Sequence, residues 1–169
     1  MPKVCRSQSI IAVLAAVVLL SACNRIDDHR LPAVGVNIIF TTQGMWNTYG
    51  VNAALDTREF IHTSTKREPA GFPFTATTYT GYGGVLLAVD FLNEPLAYDL
   101  ACPVEARPDV RIEVDHEHND ARCPTCGSTY DIFGGFGRPL SGPAAERGYG
   151  LTRYRVIRGD ALNYMVVTR

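Results

Sequence analysis

The chain has 169 residues, of which 46% are hydrophobic, and its formal net charge is -1. This length suits one domain with a substantial core and is too short for two comfortable ones. The near balance of charges, without a basic run interleaved with aromatic residues, excludes an electrostatic case for nucleic acid or anionic lipid as a partner.

The N-terminus has the layout of an export signal. Lys3 and Arg6 precede the apolar stretch Ile10–Leu20, which is too short to span a bilayer comfortably. We therefore predict a signal peptide over residues 1–22 and a location outside the cytoplasm.

The signal ends in Leu20-Ser21-Ala22-Cys23, which resembles a bacterial lipobox. In such a sequence the peptidase cuts before the cysteine, and the new N-terminal cysteine carries lipid. An ordinary signal peptide followed by a coincidental cysteine is the alternative. We predict lipidation at Cys23, which makes this a lipid-anchored protein of the bacterial cell envelope with the membrane as a partner. Asn24 after the cysteine favours the outer membrane where the cell has one.

A polar segment separates the predicted anchor from the domain. Residues 23–33 show no apolar period, so we expect a lipidated tether, followed by a single domain over residues 34–169. Val34–Phe40 and Val85–Phe91 are apolar and rich in β-branched residues, and we expect both to be core strands.

Later segments also indicate strands separated by Gly, Pro, Asn and Asp clusters. Val110–Val114 and Arg153–Val156 alternate between apolar and polar residues, and Leu162–Thr168 can close the chain as a last strand. The spacing within Thr41–Arg58 is partly helical, but two glycines interrupt it, which leaves a helix and a loop equally open. We predict an all-β fold, a small antiparallel sandwich or barrel.

The cysteine count suggests a shared task for three thiols. Of the five cysteines, Cys5 leaves with the signal and Cys23 carries lipid, so Cys102, Cys123 and Cys126 remain in the domain. An odd number in an oxidising compartment means that one thiol stays free or that the three act together on something other than a disulfide.

The spacing of these cysteines carries the strongest motif of the chain. Cys123 and Cys126 form a C-x-x-C pair, which serves metal sites and redox dithiols alike. Its surroundings make it more specific, and they are Tyr98-Asp99-Leu100-Ala101-Cys102-Pro103, Cys123-Pro124-Thr125-Cys126-Gly127-Ser128-Thr129-Tyr130-Asp131 and Gly142-Pro143-Ala144. Together they resemble a Rieske iron-sulfur domain from Gly81 to about Val156, roughly half of the mature chain.

The resemblance implies a Rieske-like fold with two cysteine loops, but the ligand set departs from the family. One Rieske loop reads Cys-x-His and the other Cys-Pro-Cys-His-Gly-Ser-x-Tyr-Asp, so that two Cys and two His bind the two irons. Here Val104 and Cys126 stand at the two His positions. Arg107 and Thr125 stand where many members have a disulfide that braces the loops. Residues 34–80 precede the resemblance and would form an added sheet or a lid.

Two hypotheses follow from the altered ligands. In one, Cys102, Cys123 and Cys126 hold zinc or an altered [2Fe-2S] cluster, with a fourth ligand from Glu105, His116, His118 or solvent. In the other, the cluster is lost and the domain is a binding or structural module, with a disulfide or free thiols in the loops. The resemblance also implies a supporting role for Ser128 and Tyr130, whose hydroxyls would donate to cluster or cysteine sulfur; the alternative is that both only cap and pack the loop.

The remaining polar clusters are less specific. His116 and His118 occupy alternate positions and could face a surface metal, but the polar tip of a hairpin is the interpretation we favour. The sequence has no Ser-His-Asp arrangement, paired-carboxylate site or phosphate-binding loop, and we predict no independent enzyme activity. We expect a lipid-anchored module without a conventional cluster, and the alternative is an electron-transfer or metal-binding protein with a redox or envelope protein as partner.

Overall fold

The computed structural model of the chain describes residues 26–160 and 163–169. The predicted signal peptide and the predicted lipidation site, Cys23, lie outside the described residues, as does Leu162. Within the described part, no helix is long and apolar enough to cross a membrane.

Most regular structure in the described residues is β-strand. Strands account for 37% and helices for 9%, so the all-β prediction is confirmed. In chain order the elements are β1 (Val36–Phe40), α1 (Gln43–Tyr49), β2 (Thr57–His62), β3 (Arg67–Glu68), β4 (Tyr79–Thr80), β5 (Val85–Val89), β6 (Pro95–Asp99), β7 (Glu113–Asp115), β8 (Asp120–Arg122), β9 (Thr129–Asp131), β10 (Arg138–Ser141), α2 (Gly142–Arg147), β11 (Arg153–Arg158) and β12 (Met165–Thr168).

The strands form two antiparallel sheets of unequal size. The larger has eight strands in the order β3-β2-β5-β6-β11-β12-β1-β4 and curls into a half-barrel. The smaller has four short strands in the order β10-β9-β8-β7. All pairings within both sheets are between antiparallel neighbours, several of them joined by simple turns.

Strand β5 separates two hydrophobic cores because its side chains alternate between the faces of the large sheet. Val85, Leu87 and Val89 point to an aromatic core, whose other large members are Phe40, Trp46, Phe60 and Phe72. Leu86 and Ala88 point to a second core, the cysteine core, which also contains Tyr98, Leu100, Cys102, Ile112, Ala121, Cys123, Tyr130, Ile132, Phe133, Ala144 and Leu151. All five residues of β5 are buried, which explains the continuous apolar run in the sequence.

The predicted strands are present with adjusted bounds. The stretches expected over Val34–Phe40 and Val85–Phe91 form β1 and β5, and the helix left open near Trp46 exists as α1. Thr42 caps α1 by accepting a hydrogen bond from the Met45 amide, at 3.1 Å.

The strand expected over Val110–Val114 is instead divided between the two sheets. Its first half runs beside the segment before Cys102, with a bridge between Ala101 and Arg111, and only Glu113–Asp115 forms β7. The Ile112 amide donates to Leu100 O at 2.8 Å, and this contact holds the crossing point. Alternation in the sequence marks an extended chain, but it does not identify the sheet in which each half finds its partners.

The described end of the expected tether packs on the domain. The Asp27 amide donates to Gly148 O, and Asp27 O accepts from the Gly150 amide. Leu31 is 4% exposed, and the Thr152 hydroxyl donates to Asp28 O at 2.9 Å. Residues 26–31 are therefore part of the folded surface, although their sequence has no apolar period.

Candidate metal centre

Three cysteines from two loops meet at one end of the cysteine core. Cys102 follows β6 of the large sheet, whereas Cys123 and Cys126 lie between β8 and β9 of the small sheet. Cys102 and Cys123 are 0% exposed, and Cys126 is half-buried. Their three Sγ atoms all lie within 4.8 Å of one another.

The loop of Cys102 is fixed by the buried carboxylate of Asp99. Asp99 accepts hydrogen bonds from the amides of Tyr82, Gly83 and Ala101, at 2.8, 2.9 and 2.8 Å. The Tyr154 hydroxyl donates a fourth, at 2.6 Å. Burial raises the pKa of Asp99, and these four donors oppose that rise.

A glycine is required where two backbones meet beside this carboxylate. A Cβ at Gly83 would lie 2.5 Å from Ala101 N and 2.9 Å from its Cα, so any side chain there would displace the segment that leads to Cys102. The Gly81–Gly84 turn and the Cys102 loop therefore form one packed unit.

The loop of Cys123 and Cys126 folds back on itself. The Gly127 amide donates to Cys123 O, and the Cys123 amide donates to Ser128 O, both at 2.9 Å. Gly127 has a φ of 71°, a left-handed conformation that glycine adopts without strain. This tight turn directs the Cys123 and Cys126 side chains toward Cys102.

Ser128 and Tyr130 contact the sulfurs directly. The Cys126 thiol donates to Ser128 Oγ at 3.2 Å, and the Tyr130 hydroxyl lies 3.5 Å from Cys102 Sγ. Ser128 Oγ also accepts from the Ala144 amide at 3.1 Å, which ties the start of α2 to the loop. Gly142 packs against Ser128 in the same place, where a Cβ would lie 3.0 Å from Ser128 Cα.

The three thiols are not equivalent in acidity. Burial is the main cause that raises the pKa of Cys123 to about 12. Burial also disfavours the Cys126 thiolate, but the hydrogen bonds between Cys126 and Ser128, Cys123 and Cys102 outweigh burial and lower the pKa of Cys126. Burial and the neighbouring Cys102 raise the pKa of Tyr130, so its hydroxyl stays protonated and can donate to sulfur.

No disulfide links the three cysteines, which are all free thiols. The contact between Cys102 Sγ and Cys126 Sγ is 3.7 Å, well beyond a disulfide bond of about 2.05 Å. It matches the separation of about 3.8 Å that a tetrahedral ion imposes on two sulfur ligands at about 2.3 Å each.

The side chains expected as a fourth ligand lie elsewhere. Among the described residues, no histidine, aspartate or glutamate joins the group of three sulfurs. His116 and His118 belong to the β7–β8 hairpin, whose pairing ends at Asp115 and Asp120. The ring of His118 lies 2.8 Å from an Asp115 carboxylate oxygen, so the polar hairpin tip favoured by the sequence is confirmed.

The other positions singled out in the sequence are placed as follows. Val104 is partly buried and packs against the cysteine core. Arg107 is exposed and pairs with Asp109 at 2.6 Å, and Thr125 is exposed. These two residues cannot brace the loops covalently.

Two residues of the site escaped the sequence analysis. Asp99 and Tyr154 come from neighbouring strands of the large sheet and hold the Cys102 loop through their hydrogen bond. One signal was available, since Asp99 is a single acid within the apolar run from Leu96 to Cys102, and a buried acid needs donors.

No protein-family model matches this chain, and comparison with curated proteins and with solved structures likewise yields no match.

Proposed function

We propose that this chain is a lipid-anchored envelope protein whose Rieske-like domain binds one metal ion through Cys102, Cys123 and Cys126. The ion joins the two sheets, and the domain is a structural or binding module rather than an enzyme. The observation that carries the proposal is the convergence of three free thiols within 4.8 Å, from loops that belong to different sheets.

A conventional Rieske cluster does not fit these residues. Such a cluster needs two cysteines on one iron and two histidines on the other. Val104 stands at one histidine position and Cys126 at the other, and neither of the nearby histidines joins the sulfurs. Three sulfurs that converge from two loops suit a single ion, since two sulfur ligands of a tetrahedral ion lie about 3.8 Å apart at a metal–sulfur bond of about 2.3 Å, close to the 3.7 Å contact between Cys102 and Cys126.

Zinc is the ion that best suits this donor set. Thiolates bind Zn²⁺ tightly, and zinc needs no redox partner to fulfil a structural role. Solvent would complete a tetrahedral site on the side of Cys126, the one half-exposed cysteine of the three. The lowered pKa of Cys126 favours its thiolate, the form that binds metal.

The Rieske-like assignment has support beyond the cysteines. The Gly142-Pro143-Ala144 segment packs on Ser128, as a covering loop would, and Tyr130 contacts Cys102. Both contacts agree with what the resemblance implies for these two motifs, and they support the proposal. We infer a domain of Rieske type in which one metal ion has replaced the cluster.

Metal analysis of the full chain tests the proposal. Protein purified anaerobically from a host competent in cluster assembly should contain about one zinc per chain, without iron or labile sulfide. Cys123→Ser should lose the metal, whereas the matched control Thr125→Ser, an exposed change in the same loop, should retain it. A chain that contains iron and sulfide instead would support the electron-transfer alternative and refute the zinc site.

Cobalt substitution keeps the test valid if Cys123→Ser does not fold. Co²⁺ bound by thiolates absorbs through sulfur-to-metal charge transfer, and the intensity reports the number of sulfur ligands. The wild-type chain should show the intensity of three thiolates. Protein with no such absorption would contradict a shared site.

A disulfide between Cys102 and Cys126 is the second candidate, favoured by their 3.7 Å contact. In this case the domain would be a metal-free structural module. Thiol counts before and after reduction separate the two, because a metal site returns all three thiols on chelation alone, whereas a disulfide returns two only after reduction.

The anchor has its own test. We expect Cys23→Ala to release the protein from the membrane fraction, since the lipid would be attached to that residue. Retention of the variant would contradict lipidation as the cause of membrane association.

A further inference from the structure

We propose that one end of the domain, the apolar tip formed by Ile26, Phe91, Leu92 and Phe136, sits in the surface of the bilayer that holds the anchor. The inference rests on the lipid at Cys23 within the proposed function and is independent of the metal ion. It assigns an orientation in which the cysteine loops face away from the membrane.

The side chains of the apolar tip are exposed although they are large and hydrophobic. The exposed fractions are 63% for Phe91, 81% for Leu92, 56% for Phe136 and 45% for Ile26. Single exposed apolar residues are ordinary, but a group of them at one end of a domain marks a contact surface.

Contacts connect the segments that contain these four residues. The Phe91 ring lies 3.4 Å from the position of a Cβ at Gly134, which places the β5–β6 turn against the loop that contains Phe136. Phe136 and Ile26 line the same surface depression, whose other lining residues are Gly135, Gly150 and the charged Asp28, Arg138 and Arg153.

The β5–β6 turn holds Phe91 and Leu92 in place without using their side chains. The Asp90 carboxylate accepts from the amides of Leu92 and Glu94, both at 2.8 Å. The Asp90 amide donates to Glu94 O at 3.0 Å, and the Asn93 amide donates to Asp90 O. Because these amides are satisfied within the turn, the side chains of Phe91 and Leu92 can enter the interface while the Asp90 carboxylate stays at the level of the headgroups.

The charged groups beside the apolar tip are two ion pairs and the carboxylates of Asp90 and Glu94. Arg153 lies 3.3 Å from Asp28, and Arg138 lies 3.7 Å from Asp131. Glu94 is exposed at the edge of the turn. Insertion is therefore shallow, with the apolar side chains in the interface and the ionised groups at the level of the headgroups.

The position of the predicted lipid along the chain favours the bilayer as the partner of the apolar tip. Only Asn24 and Arg25 lie between Cys23 and Ile26, so the lipid attachment point is at most about 11 Å from the apolar tip along an extended chain. Strand β6 runs from the β5–β6 turn toward Cys102, and β9 runs from the Cys126 loop toward the loop of Phe136. The apolar tip and the cysteine loops thus lie at opposite ends of these strands.

Quenching of introduced tryptophans by brominated lipid tests the contact. Lipidated full-length variants Phe91→Trp, Leu92→Trp and Leu140→Trp would be placed in phosphatidylethanolamine–phosphatidylglycerol vesicles with brominated acyl chains. Leu140 is 46% exposed and lies in β10, one residue from Ser141, which pairs with Thr129 at the cysteine end. The native Trp46 is 7% exposed, so its emission serves as a constant background.

We expect tryptophan at 91 or 92 to lose most of its added emission and to shift to shorter wavelength, with no change at 140. Equal quenching and an equal wavelength shift for tryptophan at all three sites would overturn the proposal. A blue shift at 91 and 92 in native envelopes, but not in pure lipid, would also overturn it and assign the apolar tip to a protein partner.

Two further measurements separate this inference from the proposed lipid anchor and from the proposed metal site. Mass spectrometry shows whether Cys23 carries lipid, and an unlipidated chain would remove the basis of the inference. Zinc content of the same samples reports on the metal site, so loss of metal with retained quenching would refute only the metal proposal.

Discussion

The aromatic core and the cysteine core lie on opposite faces of β5 and differ in what fills them. In the aromatic core, Phe40 packs edge-on against Trp46 and Phe60, with ring centroids 4.9 and 5.7 Å apart. Phe60 and Phe72 form a further edge-on pair at 5.1 Å. These ring contacts are favourable through burial and packing geometry alone and need no hydrogen-bond partner.

The cysteine core depends more on polar partners. Its small sheet has strands of three or four residues, and its buried groups include Asp99, Ser128 and the thiols of Cys102 and Cys123. The buried polar groups stabilise the fold only while their hydrogen-bond partners are present, and the thiols are the ligands of the proposed metal ion. The difference teaches that local stability in this domain depends on hydrogen-bond partners and ligands as well as on buried apolar area. Four experiments test this difference between the two cores.

The largest effect should come from the aromatic core. Phe60→Ala removes a ring that is 0% exposed, and we expect it to lower the free energy of unfolding by about 3–5 kcal/mol. Urea unfolding measures the change, which should be equal with and without zinc because Phe60 lies outside the cysteine core. Ile157→Ala, at a 45% exposed site of the same sheet, should change stability by less than about 1 kcal/mol. A Phe60 effect that depends on zinc would show that the two cores are coupled.

Removal of the metal should act mainly on the cysteine core. At a free zinc concentration one hundred times the Kd, chelation should lower stability by about 2.7 kcal/mol. Hydrogen exchange should accelerate in residues 120–131 and remain slow in β1 and β5. Uniform acceleration through both sheets would argue against separate stabilisation of the cysteine core.

Asp99→Asn tests the polar anchor of the Cys102 loop. The amide that replaces the carboxylate offers one acceptor oxygen for four donors, so at least one buried N–H loses its partner, at a cost of about 1–3 kcal/mol. Unfolding and zinc affinity should both weaken. Tyr154→Phe, which removes only one of the four donors, should give a smaller loss of both; an unchanged zinc affinity in Asp99→Asn would remove its positioning role.

The smallest effect concerns Glu59, at the edge of the cysteine core beside Glu113 and His116. Burial, together with Glu68 and Glu113, raises its pKa above the ordinary 4.5, and Lys66 and Arg111 only partly oppose this.

A raised carboxyl pKa stabilises the fold at pH below 4.5, and that contribution is lost as the pH rises through the folded pKa. Glu59→Gln should therefore raise stability at pH 7, by less than about 1 kcal/mol, and should give no gain well below pH 4.5. Urea unfolding at the two pH values measures this, and a gain of equal size at both would show that charge is not the cause.

Local sequence patterns were sufficient to predict where strands form, but they did not predict which segments pair with one another. The β-branched run before Phe40 predicts β1, and the turn clusters predict many short strands, because both signals reside in neighbouring residues. The divided strand at Val110–Val114 and the packed segment at residues 26–31 were not predictable, since their partners lie far along the chain.

The sequence by itself determined an all-β domain and three cysteines available for one site, because alternation, turn residues and cysteine spacing are local properties. Only the tertiary structure decided that Cys102 meets Cys126 at 3.7 Å, that Asp99 holds the Cys102 loop, and that His116 and His118 do not join the sulfurs. Those distances arise from the packing of a small sheet on a large one, and no local pattern specifies how two sheets pack.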